Sequence, residues 1–140
     1  MKITKFRVKG VSDIATVKDD IQRVLRSIVI ARDDGCIFRN VRNCGGEIGK
    51  AVLQADHLIT RGNNATYADH RLVVCVCRSC HFWKKYNKER YDELVKTLIP
   101  KESVELWKRC DQDRFTPHRK GAYDFQLELV ALKQHLSKIE

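Results

Sequence analysis

The sequence lacks the features that mark membrane-spanning, secreted or multi-domain proteins. No apolar run is long enough to cross a bilayer, since the longest one, residues 25–31, is short and contains Arg26. Residues 1–10 alternate basic and apolar side chains, which is not the pattern of a cleavable leader. With 7 Gly and 2 Pro in 140 residues, the chain has no Gly/Ser-rich linker, no low-complexity stretch and no internal repeat. We therefore expect one domain in the cytoplasm, with no membrane partner.

Acidic residues are in short supply relative to basic ones. The chain has 27 Lys and Arg against 18 Asp and Glu, which gives a net charge of +9 when its five His are neutral. An excess of this size favours a polyanionic partner, most often nucleic acid. The alternative is a globular protein that happens to be basic, and charge by itself does not distinguish the two. Because 43% of the residues are hydrophobic, the composition favours a packed core over global disorder.

The first third of the chain predicts one extended segment and one helix. Residues 3–9 alternate in strand fashion and fit an edge strand or an extended arm. Ser12 or Asp13 can cap a helix that begins near Ile14, and apolar residues follow at helical spacing. Gly35 is a suitable stop for this helix.

The remainder of the chain predicts a small strand–loop–strand–helix unit followed by further helices. Residues 72–76 are apolar and β-branched, as in a strand, and residues 82–98 have the pattern of a helix that Pro100 ends. Ser103 is placed to cap a short helix after that. The last predicted helix, residues 123–139, carries an apolar stripe wide enough either to pack on the first helix or to form the seam of a homodimer.

Four of the six cysteines form two pairs in the sequence, Cys36 with Cys44 and Cys77 with Cys80. Zinc prefers four tetrahedral ligands, and two short-spaced thiolate pairs can surround one ion. The Cys-x-x-Cys pair has no thioredoxin-like setting, although the upstream pair has a wider gap than usual. We therefore expect a Zn(Cys)4 site, with Cys75 facing the core and Cys110 as a buried thiol. The alternative is that all six are ordinary small apolar residues.

Two segments carry polar residues in an order typical of one nuclease family. Residues 55–59 are Ala-Asp-His-Leu-Ile, a loop and a β-branched run follow, and residues 77–81 are Cys-Arg-Ser-Cys-His. This combination, over residues 33–85, resembles the HNH nucleases, also called His-Me finger or ββα-metal nucleases. The resemblance implies an α+β fold in which a zinc-stabilised ββα-metal core is embedded among several α-helices. Residues 1–32 would be an N-terminal arm and helix, and residues 86–140 a helical extension, of a single HNH endonuclease domain over residues 1–140.

Asp56, His57 and His81 are the residue types that phosphodiester hydrolysis requires, namely a base and groups that hold positive charge near the scissile phosphate. A histidine can accept a proton at neutral pH because its unperturbed pKa is about 6.5. By resemblance, His57 is the general base, and Asp56 and His81 bind a catalytic Mg²⁺ or other divalent cation. The zinc would then be structural. The alternatives are a surface pair for Asp56 and His57, and a plain DNA-contacting role for His81.

One position departs from the family pattern. The HNH nucleases usually have an Asn about five residues before the first cysteine of the Cys-x-x-Cys pair, where it orients the base. The residue here is Leu72. We expect His70 to replace the Asn as a catalytic residue, and the alternative is that His70 contacts DNA or has no role.

Basic residues are concentrated between residues 71 and 90, where six Lys and Arg accompany a single acid, Glu89. Cations at this density neutralise phosphates and release counterions, which gives salt-dependent binding without sequence preference. We expect the nucleic-acid contacts to come from Arg71, Arg78, Lys84, Lys85 and Lys88. Three aromatic residues, Phe82, Trp83 and Tyr86, lie among these cations. They either stack on exposed bases or belong to the core.

The chain after the cysteine motif narrows the resemblance. Residues 86–109, with Tyr-Asp-Glu-Leu at 91–94 and Val-Glu-Leu-Trp at 104–107, are similar to the phage NinG/Rap recombination nucleases. That similarity implies a phage-type enzyme in the cytoplasm of the host cell, acting on branched or recombination DNA. The function expected from the sequence is therefore a metal-dependent DNA endonuclease with a single-metal, histidine-general-base mechanism. The alternative is a non-catalytic, zinc-stabilised nucleic-acid-binding module.

Overall fold

The computed structural model of the protein describes residues 13–46 and 52–140. Within these ranges it has five α-helices and a two-stranded sheet: α1 (Ile14–Asp33), β1 (Leu53–His57), β2 (Val73–Cys77), α2 (Arg78–Lys84), α3 (Lys88–Leu98), α4 (Lys101–Gln112) and α5 (Ala122–Ile139). A 3₁₀ turn, His70–Leu72, precedes β2. The predicted α+β class is confirmed, whereas the strand pattern of residues 3–9 lies outside the described residues. Across the two described ranges, no helix combines the length and the apolar character that a membrane crossing requires.

The first helix begins and ends close to the positions predicted for it. The Asp13 carboxylate caps α1 by accepting the Thr16 N–H at 2.9 Å. Five apolar residues on one face of α1 are buried: Val17, Ile21, Leu25, Ile28 and Val29. Asp34 takes the left-handed conformation that ends the helix, with φ 56°, and Gly35 follows with φ 113°. The apolar face of α1 packs on both strands of the sheet and along α5.

The two strands form an antiparallel hairpin that is buried almost throughout. Asp56 pairs with Val74 and His57 with Val73 in its register. All five residues of β2 are buried, because α1 covers the hairpin. The polar pair Asp56–His57 therefore sits in a buried strand rather than on a surface, where each polar atom requires a partner.

The helix predicted over residues 82–98 is two helices, and that prediction is wrong in this respect. The N–H groups of residues 85–87 donate to carbonyls three residues back instead of four, so α2 tightens and stops. The Asn87 side chain donates to the Trp83 carbonyl at 3.1 Å, a bond that the Asn87 backbone N–H would make in a continuous helix. The break allows α3 to start in a new direction and to bury Tyr91 and Val95.

The fourth helix begins at Lys101, two residues before the predicted cap. The Pro100 carbonyl accepts the N–H groups of Ser103 and Val104 at 3.0 and 3.2 Å. Ser103 is therefore a buried residue inside α4, and the predicted cap at Ser103 is wrong. The proline that ends the preceding helix also starts this one, because its fixed φ suits the residue next to a helix N-terminus.

The last helix packs on the first, one of the two alternatives open for its apolar stripe. Its buried face consists of Phe125, Leu129 and Leu132, and this face lies along α1. Its first residue, Ala122, is one position before the predicted start. Burial of this apolar stripe holds α5, the last described helix, against α1, the first one.

Candidate functional site

Four cysteines lie together where the loop after α1 meets the end of β2 and the start of α2. The Sγ atoms of Cys36, Cys44, Cys77 and Cys80 all lie within 4.8 Å of one another. The Sγ atoms of Cys36 and Cys44 are 3.8 Å apart. Four sulfurs placed tetrahedrally around zinc, each about 2.3 Å from the ion, are about 3.8 Å apart. The cysteines predicted as ligands are thus brought together in an arrangement that fits a structural zinc ion.

A glycine allows the upstream pair to close on itself. The Cys36 N–H donates to the Gly46 carbonyl at 2.7 Å, which draws the two ends of the loop together. A Cβ on Gly46 would lie 2.3 Å from the Cys36 Cβ, so only glycine fits there without displacing the backbone. The wide spacing of Cys36 and Cys44 is therefore bridged by a compact loop, and the predicted ligand set does not require the usual two-residue gap.

The protonation of the sulfurs shows why this cluster suits a cation. A hydrogen bond from the Cys80 thiol lowers the pKa of Cys36 to about 5, and the same hydrogen bond, with burial, raises the pKa of Cys80. When only protons are present, Cys36 is therefore a thiolate at neutral pH, whereas Cys80 keeps its proton. A divalent cation favours the thiolate at every sulfur and releases these protons. Arg42 adds positive charge, since its Nη1 donates to the Cys80 Sγ at 3.1 Å.

The two remaining cysteines are separate from the cluster. Cys75 is fully buried in β2, as predicted, and burial together with the nearby Asp33 carboxylate raises the pKa of its thiol to about 12. Cys110 is only half-buried, so the prediction of a buried thiol is wrong. It lies on α4, which packs on the 3₁₀ turn and leaves one side of this residue open.

Asp56 is almost completely buried, with 5% of its surface exposed, and its two oxygens have different neighbours. Oδ2 accepts hydrogen bonds from the Lys84 Nζ at 2.9 Å and from the Tyr91 hydroxyl. Oδ1 lies 3.3 Å from the His81 Nδ1. The two predicted ligands of a catalytic cation, one on β1 and one on α2, therefore present a carboxylate oxygen and an imidazole nitrogen side by side.

Lys84 and Tyr91 contribute to this site in roles that the sequence did not reveal. Lys84 was expected on a DNA-facing surface, yet its Nζ also donates to the His57 carbonyl at 3.2 Å. The sequence feature that could have revealed this role is the position of Lys84 three residues after His81, which places both side chains on the same face of α2. Tyr91 is fully buried, and burial and the Asp56 charge raise the pKa of its hydroxyl, which therefore stays a donor. The break before α3 directs Tyr91 at Asp56, and no sequence pattern predicted that break.

His57 is held in one orientation by the backbone of the loop that follows β1. Its Nε2 is 2.8 Å from the Tyr67 carbonyl oxygen, and its ring stacks on the Tyr67 ring with centroids 5.2 Å apart. A carbonyl oxygen only accepts, so Nε2 carries the proton and the neutral ring has its lone pair on Nδ1. Nδ1 is buried and has no hydrogen-bond partner among the described residues. This nitrogen is therefore an acceptor that the described residues leave unused.

Burial also sets the protonation of His57. Burial lowers the pKa of this imidazole, and the hydrogen bond to the Tyr67 carbonyl offsets that effect only in part. The ring is therefore neutral at neutral pH and can accept a proton. Asp56, His57, His81 and Lys84 line one cavity of about 440 Å³. The predicted general base and the two predicted ligands of a catalytic cation thus line the same cleft.

His70 lies outside the cleft of Asp56, His57 and His81. Its ring stacks on the His135 ring of α5 with centroids 4.1 Å apart, and both residues line a cavity that does not include Asp56, His57 or His81. The group that contacts the His57 ring nitrogen is the Tyr67 carbonyl rather than the His70 side chain. A carbonyl oxygen leaves no trace in a residue pattern, which is why the sequence pointed to a side chain.

The other predicted nucleic-acid contacts divide into two groups. Arg71 forms a bidentate ion pair with Asp69 and lines the cavity of His70 and His135. Arg78, Lys85 and Lys88 are exposed on α2, after its end and on α3. Lys88 also pairs with Asp92 at 2.6 Å. Among the described residues, the Lys and Arg side chains that line the cleft are those of Lys84, Lys88 and Arg61.

The three aromatic residues of this region have different environments. Trp83 packs on Phe38 and Tyr91, with ring centroids 6.2 and 6.3 Å away, and belongs to the edge of the core. Phe82 and Tyr86 are exposed. The core alternative therefore holds for Trp83, whereas the stacking alternative stays open for Phe82 and Tyr86.

Comparisons of the chain with protein-family models, with curated proteins and with solved structures gave no match.

Proposed function

We propose that the protein is a metal-dependent DNA endonuclease of the HNH type that hydrolyses phosphodiester bonds with His57 as general base. The observation that carries this proposal is the shared cleft. The Asp56 Oδ1 and the His81 Nδ1 are 3.3 Å apart in it, and the same cavity is lined by a neutral histidine whose Nδ1 has no partner among the described residues. A base and a cation-binding pair in one place are what hydrolysis of a phosphodiester requires.

Asp56 and His81 are the residues that would hold the catalytic cation. A carboxylate oxygen and an imidazole nitrogen are donors that Mg²⁺, Mn²⁺ or Ni²⁺ accept, with water and phosphate oxygens completing the coordination. Such a cation supplies positive charge near the scissile phosphate and the leaving oxygen. Tyr91 and Lys84 hold the other Asp56 oxygen, which leaves Oδ1 directed at His81.

His57 takes the proton of the attacking water in this proposal. The Tyr67 carbonyl fixes the tautomer, so the lone pair is on Nδ1, the atom that lacks a partner among the described residues. Burial keeps the ring unprotonated at neutral pH, since it lowers the pKa of His57. General-base catalysis of this kind contributes roughly a hundredfold or more to the rate.

The zinc cluster has a positioning role in the proposal. Cys80 directly precedes His81, and Cys77 is the N-cap residue of α2. A zinc ion on these cysteines fixes the first turn of α2 against the loop after α1, and hence the direction of His81. The net charge of +9 and the exposed lysines beside the cleft favour a nucleic-acid substrate. A more specific part of the proposal is that the substrate is branched or recombination DNA and that the enzyme is of the phage type. This part rests on the similarity to NinG/Rap nucleases.

The experiment is a cleavage assay with matched histidine variants. Zinc-loaded protein is incubated with supercoiled plasmid and with linear, nicked, flapped and four-way oligonucleotides, with Mg²⁺, Mn²⁺ or Ni²⁺ or without added metal. We expect metal-dependent cleavage that leaves 5′-phosphate and 3′-hydroxyl ends. His57→Ala should lower the rate about a hundredfold or more, whereas His118→Ala, on an exposed loop residue outside the cleft, should not. An inactive wild type, or a fully active His57→Ala variant, contradicts the proposal.

A second candidate is a non-catalytic, zinc-stabilised nucleic-acid-binding module. The observation in its favour is that Lys84 already places a cation on Asp56, at 2.9 Å from Oδ2. This function predicts that Asp56→Ala and His57→Ala bind DNA as the wild type does and that no substrate in the panel is cut. Cleavage by the wild type excludes it.

A further inference from the structure

Two large aromatic side chains beside the cleft are exposed without any packing role. Phe82 has 63% and Tyr86 has 70% of its surface exposed, and their ring centroids are 5.7 Å apart at 64°. Their neighbour Trp83 is packed on the core, so the exposed pair is not the edge of a buried aromatic cluster. Two adjacent aromatic side chains that are exposed and surrounded by polar residues are typical of a binding site.

Phe82 lines a cavity that adjoins the candidate catalytic cleft, and Tyr86 contacts the Phe82 ring. Phe82 lines a surface cavity of about 560 Å³ together with His81, Lys84, Lys85 and Lys88. Three of these residues, His81, Lys84 and Lys88, also line the cleft that contains Asp56 and His57. A polymer whose phosphate lies at Asp56 and His81 can therefore extend into the cavity that Phe82 lines.

The chemistry of this surface favours a nucleobase as its ligand. Every nucleobase has a flat π face that stacks on aromatic rings, and lysines around the rings neutralise the phosphates on either side. Lys85 lies over the Tyr86 ring, 5.6 Å from its centroid, and leaves the outer part of this surface positively charged. An apolar protein partner would cover the charge of Lys85 without supplying an anion, whereas a polyanion with aromatic bases matches both the exposed rings and this charge.

We propose that Phe82 and Tyr86 form a stacking site for an unpaired nucleobase next to the bond that is cut. The inference deepens the proposed function and rests on it for the position of the scissile phosphate. The faces of bases in an intact duplex are covered by their neighbours, so only a base that is out of the stack can reach Phe82. The substrate class is therefore nucleic acid with at least one unpaired nucleotide at the cleavage site, which an uninterrupted duplex does not offer.

The experiment measures binding, so that it does not depend on cleavage. Full-length, zinc-loaded protein without added Mg²⁺ is titrated by fluorescence anisotropy against a labelled oligothymidine strand and against a duplex of the same length at the same salt concentration. We expect Phe82→Ala and Tyr86→Ala to weaken single-strand binding about 5- to 150-fold, with less than about a twofold change for the duplex. Phe82→Trp should bind the strand at least as tightly as the wild type.

A matched control comes from α5, where Tyr123 is 61% exposed and lines none of these cavities. Tyr123→Ala should bind both probes as the wild type does. The inference is overturned if the Phe82 and Tyr86 variants bind the strand normally, or if they lose strand and duplex binding equally. It is also overturned if light scattering finds a wild-type dimer that these variants dissociate, since the patch is then an interface between two copies. Selective strand binding by a protein that never cuts DNA refutes the proposed function and leaves the stacking site intact.

Discussion

Replacing Lys84 by methionine tests how the buried Asp56 carboxylate is maintained. The Lys84 Nζ lies 2.9 Å from the Asp56 Oδ2 and 3.2 Å from the His57 carbonyl oxygen. Only 18% of the Lys84 side chain and 6% of the Asp56 side chain are exposed. Methionine keeps most of the apolar stem but removes the charge and both hydrogen bonds. Asp56 is then left as a buried anion with Tyr91 and His81 as its remaining partners.

The magnitude follows from the burial of this pair. Removing one partner of a buried ion pair costs about 3–5 kcal/mol, because the other charge is left uncompensated. The Tyr91 hydroxyl still donates to Asp56, so the loss should lie near the low end, about 3 kcal/mol. With an m-value of about 1–3 kcal/mol per molar urea, the unfolding midpoint falls by roughly 1–3 M.

Urea unfolding followed by circular dichroism measures this loss in the zinc-loaded protein. Lys85→Met is the matched control, because Lys85 is exposed and lies just past the end of α2. The free energy of unfolding of this variant should stay within about 0.5 kcal/mol of the wild-type value. In a cycle with Asp56→Asn, we expect a coupling energy of about 0.5–3 kcal/mol between the two positions. The reasoning is refuted if Lys84→Met is as stable as the wild type, or if the two substitutions are additive.

Three further predictions concern the cysteine cluster and the His70 cavity. Elemental analysis should find one zinc per chain, and a strong chelator should lower the melting temperature of the zinc-loaded protein; equal melting with and without the chelator contradicts a structural zinc. Gly46→Ala should weaken zinc retention in a competition with a chromophoric chelator, because the new Cβ meets the Cys36 Cβ at 2.3 Å, while Gly62→Ala, whose Cβ meets only a hydroxyl at 4.0 Å, should not. Burial and the neighbouring His135 lower the pKa of His70, so the unfolded chain binds a proton more readily than the folded one. The free energy of unfolding should therefore fall as pH drops below about 6.5, and His70→Phe should reduce that dependence in urea titrations; an unchanged slope would show that His70 is not responsible.

Local signals in the sequence predicted the first helix and the cysteine cluster. The Asp13 cap, the apolar spacing of α1 and the Gly35 stop all act over a few residues, so the helix begins and ends where they indicate. The four cysteines were identifiable because zinc restricts the ligand type and number so strongly. The closing of the Cys36–Cys44 loop depends on Gly46, and its role emerges only when the backbone path is known.

Contacts that depend on the tertiary fold were not predictable in this way. The continuous helical pattern over residues 82–98 is a real pattern, but one Asn87 side-chain hydrogen bond replaces the backbone bond that would continue it. The resulting turn directs Tyr91 at Asp56 over a separation of 35 residues. The Tyr67 carbonyl was likewise invisible, since any residue type at that position has a carbonyl oxygen.

The geometry of α2 explains how one short helix can contribute both to the cysteine cluster and to the cleft of Asp56, His57 and His81. Successive residues of a helix point about 100° apart, so Cys80 can face the cysteine cluster while His81 faces Asp56. A helix of seven residues has little stability of its own, because helix nucleation is unfavourable and short helices depend on packing. Two cysteines in the cluster, one at the N-cap and one in the first turn, supply the constraint that such a helix lacks. The direction of His81 then depends on the cluster, although no sulfur atom lines the cleft.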